Sequence, residues 1–145
     1  MKFLIDTDHA SLIQQQTEPE FRTICRHLAA WTETDVVYSI ITVHEQFLGI
    51  HAYINKAQGP SDAVSGYGRL AKLVDFYKKA IVVPFDDRAA AKFARLKAAR
   101  VRIGSMDLRI ASIALTRGLV LVTRNTRDFR QVPDLEPEDW TAPAR

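Results

Sequence analysis

Four short apolar runs recur along the chain: Phe3-Leu4-Ile5, Val36-Val37-Tyr38-Ser39-Ile40, Ile81-Val82-Val83 and Leu119-Val120-Leu121-Val122. Between them lie stretches whose apolar residues fall at helical spacing. Strands that alternate with helices pair in parallel, because each crossover helix returns the chain to the same end of the sheet. Near-continuous apolar strands need cover on both faces. The pattern predicts an α/β fold, a three-layer α/β/α sandwich with a central parallel sheet. At 145 residues, all of it fits one domain spanning 1–145.

The punctuation is equally directional. Asp6-Thr7-Asp8 ends the first strand in a polar turn suited to capping a helix, and Glu18 to Trp31 carries Phe21, Ile24, Cys25, Leu28 and Trp31 at helical spacing. Thr42 is the expected N-cap of the next helix, with Glu45 completing a capping box in its first turn. Gln58-Gly59-Pro60-Ser61 breaks that helix. A further helix is expected from about Asp62 to Lys79, with Leu70, Leu73, Val74 and Tyr77 on one face and Gly66 and Gly68 weakening its start. Asp86 caps the helix holding Ala90, Phe93, Ala94 and Leu96. Ser105 is the expected N-cap of Met106 to Arg117, which Gly118 terminates. A short edge strand is expected around Val132 to Leu135. Trp31 and Trp140 read as packing residues.

Composition excludes several classes. Cys25 is the only cysteine, so no intrachain disulfide and no cysteine-based zinc site can form. No run approaches the roughly 20 apolar residues of a membrane span. Acids interrupt the N-terminal apolar run too early for a signal peptide. The expectation is a cytoplasmic protein with no membrane partner. A net charge of +3 permits a nucleic-acid partner without demonstrating one.

In an open parallel sheet, ligands bind beyond the carboxyl ends of the strands. That rule selects four acids: Asp6 after the first strand, Glu45 after the second, Asp107 in the helix opening at Ser105, and Asp128 after the fourth strand. Helix dipoles favour carboxylates in first turns, which alone would account for Glu45 and Asp107. It does not account for all four arriving at one sheet edge. Crowded carboxylates repel one another unless a cation neutralises them. Hard divalent ions such as Mg²⁺ or Mn²⁺ prefer such oxygen ligands and support attack on phosphodiesters.

The segments Leu4-Ile5-Asp6-Thr7-Asp8, Ser39-Ile40-Ile41-Thr42-Val43-His44-Glu45, Ile103-Gly104-Ser105-Met106-Asp107-Leu108-Arg109-Ile110-Ala111 and Leu121-Val122-Thr123-Arg124-Asn125-Thr126-Arg127-Asp128-Phe129 resemble the four PIN-domain motifs, in order and across nearly the whole chain. The likeness is strongest to VapC-type toxins, whose ending Val132 to Trp140 also resembles. The resemblance implies a PIN-like sandwich and a Mg²⁺- or Mn²⁺-dependent endoribonuclease, the toxin of a type II toxin–antitoxin pair. Its implied partners are an RNA substrate, a VapB-like antitoxin and a second copy of the chain. It implies Asp6, Glu45, Asp107 and Asp128 as catalytic metal ligands, with Asp8, Thr123 and Asn125 in support. Arg109, Arg124 and Arg127, beside the acid motifs, are candidates to grip RNA phosphates. His44 and Gln46 flank Glu45 where the family more often carries small or aliphatic residues.

Two rival readings stand beside this one. Asp6 and Asp8 resemble the paired aspartates of haloacid-dehalogenase-like phosphatases, although Ala10 and Gly104-Ser105 depart from that pattern. A PIN fold that only binds RNA or protein is the non-catalytic alternative. A zinc-protease helix beginning at His44-Glu45 fails, because its second histidine would fall at Leu48.

Overall fold

The computed structural model describes residues 1–143, so the last two positions of the expected domain lie outside the described residues. Five strands form one sheet in the order β3-β2-β1-β4-β5, and every neighbouring pair is parallel. They are β1 (Phe3–Ile5), β2 (Val36–Ser39), β3 (Val82–Val83), β4 (Val120–Val122) and β5 (Pro137–Glu138). In β1, Phe3 pairs with Val36 on one side and Val120 on the other, and Ile5 with Tyr38 and Val122. The expected sandwich is therefore present, with the first strand at its centre.

Side chains alternate across the sheet with period two. Leu4, Val37 and Leu121 point into one core, filled by Ala89 and Leu96 of α5 (Asp87–Ala98) and by Leu108, Ala111 and Ile113 of α6 (Ser105–Arg117). Phe3, Ile5, Tyr38 and Val122 point into the other. There they meet Ala10 of α1 (Thr7–Gln15), Ile24 of α2 (Glu20–Leu28), and Phe76 and Tyr77 of α4 (Pro60–Lys78). Each fully buried side chain of this kind contributes roughly 1.5–3 kcal/mol. α3 (Ile40–Asn55) touches both layers, since it packs on α1, α4 and α6.

The caps revise several expectations. Ser39, the last residue of β2, is the N-cap of α3 and accepts the Thr42 N–H at 3.0 Å. The helix therefore opens at Ile40, so Thr42 is its third residue rather than its cap and Glu45 lies in its second turn. Strand and helix compete for this stretch, and the buried Ser39 hydroxyl decides the boundary because it satisfies a helix-end donor that has no other partner. Gly104 rather than Ser105 is the N-cap of α6, and Ser105 is its first helical residue. Val74 faces outward, half exposed, while Leu73 takes the core position. The last strand is β5, not Val132 to Leu135, whose Val132 and Leu135 are buried against α7 (Thr126–Phe129) and the core. Asp86 caps α5, accepting the Ala89 N–H at 2.9 Å, and Gly118 ends α6 at φ +63°, as the sequence predicts.

α4 runs through both of its glycines. A Cβ at Gly66 would lie 2.6 Å from Ile54 Cγ1 and 3.2 Å from Tyr53 Cδ1, so this glycine is what lets α4 lie close on α3. Gly68 has open space in the same place. Gly68→Ala should stabilise the fold by up to about 1 kcal/mol through helix propensity. Gly66→Ala, although it gains the same propensity, should destabilise it by roughly 1–3 kcal/mol through overpacking. Urea unfolding of the two variants checks this pair; equal effects would contradict the close approach.

Candidate active site

The chain runs from β1 through β2 to β3 on one side of the sheet, then crosses to β4 and β5 on the other. The direction reverses between β1 and β4, and a crevice opens at the carboxyl ends of strands at such a point. Asp6 follows β1 and Thr123 follows β4, so both sit at that crevice.

Asp6 is the N-cap of α1, with only 5% of its surface exposed. Its Oδ1 accepts the Thr7 N–H at 2.8 Å and its Oδ2 accepts the Thr123 hydroxyl at 2.7 Å. Burial, then the neighbouring charge of Asp8, push its carboxyl up from 3.8 to about 7, with Asp107 adding to the rise and the two hydrogen bonds opposing it. Asp107, in the first turn of α6, is raised by burial and by the charges of Glu45, Asp128 and Asp8. Asp107 thus stands close enough to Glu45 and Asp128 to be raised by them, and close enough to Asp6 to raise it.

Asp6, Glu45 and Asp128 each accept a hydrogen bond from a neutral donor. Glu45 Oε1 accepts the Thr7 hydroxyl at 2.8 Å, and Thr7 in turn meets Thr42 Oγ1 at 3.1 Å and, through it, Ser39 Oγ at 3.3 Å. This hydroxyl chain ties α1 to α3. Asp128, in the one-turn helix α7, accepts the Asn125 side-chain amide at 3.0 Å. Asn125 N–H also donates to Thr123 Oγ1 at 3.0 Å, which leaves the Thr123 hydroxyl proton for Asp6.

Asp8 stands differently. Burial would raise it, but hydrogen bonds from the His9 ring and from the Arg124 and His9 backbone N–H groups outweigh burial and hold it below the usual carboxylate range. Its two oxygens are both engaged, Oδ1 by His9 and Oδ2 by Arg124 N–H at 2.9 Å. Neither is free for the acid–base role that the phosphatase alternative gives it. The structure places it as a support of the β4–α7 loop.

The donor set suits a hard divalent cation. It is all oxygen, and a cation would relieve the repulsion that raises Asp6 and Asp107. Among the described residues no three His, Cys, Asp or Glu side chains close around one point. An ion here would complete its shell with water, as Mg²⁺ ordinarily does.

The arginines separate into two kinds. Arg124 and Arg127 are exposed on the loop and α7 beside Asp128. Arg109 instead lies over the Phe93 ring at 5.4 Å, with Nη1 3.5 Å from the Met106 sulfur. Two residues beyond Asp107 it points to the opposite side of α6, where an aromatic face holds it. It belongs to the α5–α6 contact, apart from Arg124 and Arg127. Thr7 and His9 are not singled out by the sequence, and Thr42 is singled out there only as a helix cap. Thr7 is legible in hindsight inside Asp6-Thr7-Asp8, and His9 shares a helical face with the core residues Leu12 and Ile13.

Beside Glu45 and Thr7 opens a groove of about 1480 Å³ between α1–α2 and α3–α4, floored by Tyr38 and Phe76 and walled by Trp31, Ile50 and Lys72. At its inner end Gln46 links Gln14, Ser11 and Tyr77 by hydrogen bonds, so the departure at this position bridges three helices. His44 is exposed.

The PIN domain family model matches residues 4–135. The tRNA(fMet)-specific endonuclease VapC of Shigella flexneri is 37% identical over 76 residues, covering 50% of this chain and 58% of the relative, so the match spans little more than half of that protein. Ribonuclease VapC2 of Haemophilus influenzae is 31% identical over 106 residues, 70% of this chain and 73% of the relative. The crystal structure of DNA-bound VapBC from Salmonella typhimurium superposes with a TM-score of 0.74 at 27% identity, covering 97% of this chain and 98% of the other.

Because Asp6 holds its proton up to about pH 7 when folded but only to about 3.8 when unfolded, the folded state binds the extra proton between those values. Stability should therefore fall as pH rises from about 4 to about 7, by on the order of a few kcal/mol. The depressed Asp8 acts below that window. Denaturant unfolding without divalent ions checks this. Asp6→Asn should flatten the profile, and an unchanged profile in that variant would contradict the account.

Proposed function

The chain belongs to the PIN-domain family, in its VapC-type branch of toxin ribonucleases, and from this we propose that it cuts RNA as a metal-dependent endonuclease and is restrained by an antitoxin protein. The observation that carries the reading is the elevation of both Asp6 and Asp107 at the sheet's switch point, by burial first and by neighbouring carboxylates after it. Acids so placed destabilise an empty site and favour one that holds a cation. Asp6 and Asp107, with Glu45 and Asp128, would hold Mg²⁺ or Mn²⁺. When bound, such an ion supplies an activated water and charge stabilisation for phosphodiester hydrolysis.

The chain's own residues do the rest. Thr123 aims Asp6, Thr7 aims Glu45 and Asn125 aims Asp128, each through one hydrogen bond. Those bonds leave the carboxylates little freedom to rearrange when a phosphate arrives, and preorganisation of this kind lowers the barrier. Arg124 and Arg127, free in solvent at the rim, offer charge to RNA phosphates on either side of the cut.

The groove beside Glu45 suits an antitoxin segment: it has an apolar floor, carries both signs of charge in Arg69, Lys72 and Lys79 and in Glu33 and Asp75, and reaches Glu45 at one end. A chain similar in fold was solved in a toxin-antitoxin complex from Klebsiella pneumoniae. The outward face of α3 carries exposed Ile40, Phe47 and Leu48, which suits a second copy of the chain. No helix among the described residues is long and apolar enough to cross a membrane.

Purified chain incubated with structured RNAs, tRNAs included, should cleave only when Mg²⁺ or Mn²⁺ is added. Asp107→Asn should lower the rate by more than the roughly 10–100-fold typical of supporting partners. Equal cleavage by the variant would contradict the assignment of the site.

A further inference from the structure

His9 has no exposed surface, yet both of its ring nitrogens have polar partners. On one side, Nδ1 and the backbone N–H meet Asp8 Oδ1 at 2.8 and 2.6 Å. On the other, Nε2 receives the backbone N–H of Trp140 at 3.2 Å. A backbone N–H can only donate, so Nε2 presents its lone pair and the ring proton sits on Nδ1, where it is given to Asp8. The Asp139 carboxylate lies 3.6 Å from Nε2, but its Oδ1 accepts the Thr141 N–H and hydroxyl at 2.8 and 2.6 Å and is occupied there.

Trp140 is itself held from every side. It is buried, meets Phe3 edge-on at 4.9 Å, stacks on His27 at 5.1 Å, and donates its indole N–H to Glu138 at 2.9 Å. Glu138 belongs to β5, whose pairing with β4 sets the position of this whole segment. On the far side of His9, the second oxygen of Asp8 accepts Arg124 N–H. Arg124 directly follows Thr123, the residue that aims Asp6. A residue buried only for volume would need neither nitrogen matched, and a Phe or Leu would fill the space without a polar cost.

We propose that His9 is a positioning residue of the nuclease centre. The C-terminal segment Glu138 to Trp140 fixes its ring, and its Nδ1–H holds Asp8 so that Asp8 pins the loop carrying Thr123 and Asn125. The last strand, which contributes no carboxylate to the site, is thereby part of the catalytic apparatus. This rests on the nuclease reading above.

The test compares two variants of the full chain that divide the ring's two roles. His9→Asn keeps a donor near the Nδ1 position and loses contact with Trp140. His9→Gln reaches the Nε2 position, keeps an acceptor for Trp140 N–H, and loses the donor to Asp8. For each, kcat and KM on the cleaved RNA are measured with Mn²⁺ affinity of the RNA-free protein, by electron paramagnetic resonance of free Mn²⁺, and with the melting temperature. His9→Gln should lose roughly 100-fold in kcat and Mn²⁺ affinity with KM little changed, while His9→Asn, deprived only of the Trp140 contact, should lose roughly tenfold at a similar melting temperature. Equal losses in the two variants, or losses that simply follow melting temperature, would overturn the positioning role. A wild-type chain that neither binds Mn²⁺ nor cuts RNA would overturn the nuclease reading itself, and the positioning role with it.

Discussion

Carboxylates crowded at the end of a buried sheet repel one another, and most of the structure around them can be understood as the means of keeping them there. Asp6 cannot withdraw, because β1 is paired on both sides and Leu4 and Ile5 beside it are wholly buried. Asp107 is fixed by α6, whose Leu108, Ile110, Ala111 and Ile113 are all in the core. Burial first, and the neighbouring carboxylates after it, raise Asp6 and Asp107. That cost is offset by packing far from the site and by well-placed donors to Asp6, Glu45 and Asp128. A flexible scaffold would let the acids separate into water, and their affinity for a cation would go with them.

The donors also explain why the site draws on so many elements. Thr7 joins α1 to Glu45 of α3, while Thr123 joins β4 to Asp6 and Asn125 holds Asp128 of α7. These contacts span more than a hundred residues of sequence, so the site cannot assemble before the sheet does. The groove between α1–α2 and α3–α4 meets the acids at its Glu45 end. A partner seated there would stand beside Glu45 of the acid cluster without displacing any strand.

Much of this was legible in the residues. Parallel strands, the central position of an Asp after an apolar run, the Asp86 cap and the Gly118 stop all follow from local chemistry, and so does the acid quartet at one sheet edge. What escaped had non-local causes. Thr42 with Glu45 satisfies the spacing of a capping box, but Ser39 is buried at the end of β2 and captures the Thr42 N–H first. Val132 and Leu135 suggest a short edge strand. Both are buried against the core without joining the sheet, Pro133 and Asp134 between them are exposed, and the pairing goes to Pro137–Glu138, where β4 has its free edge. Arg109 lies in the acid motif, yet helical geometry turns it onto Phe93. His9 takes its meaning only from Trp140, 131 residues away.

The central claim is that a divalent cation replaces a proton on the acid cluster. Calorimetric titration of Mn²⁺ into the chain at pH 6, repeated in buffers of different ionisation enthalpy, counts the protons released on binding. Because Asp6 retains its proton to about pH 7 in the folded chain, binding should release close to one proton at pH 6, and release should fade above pH 8. Tight Mn²⁺ binding with no proton release at pH 6, or no binding at any pH, would contradict it.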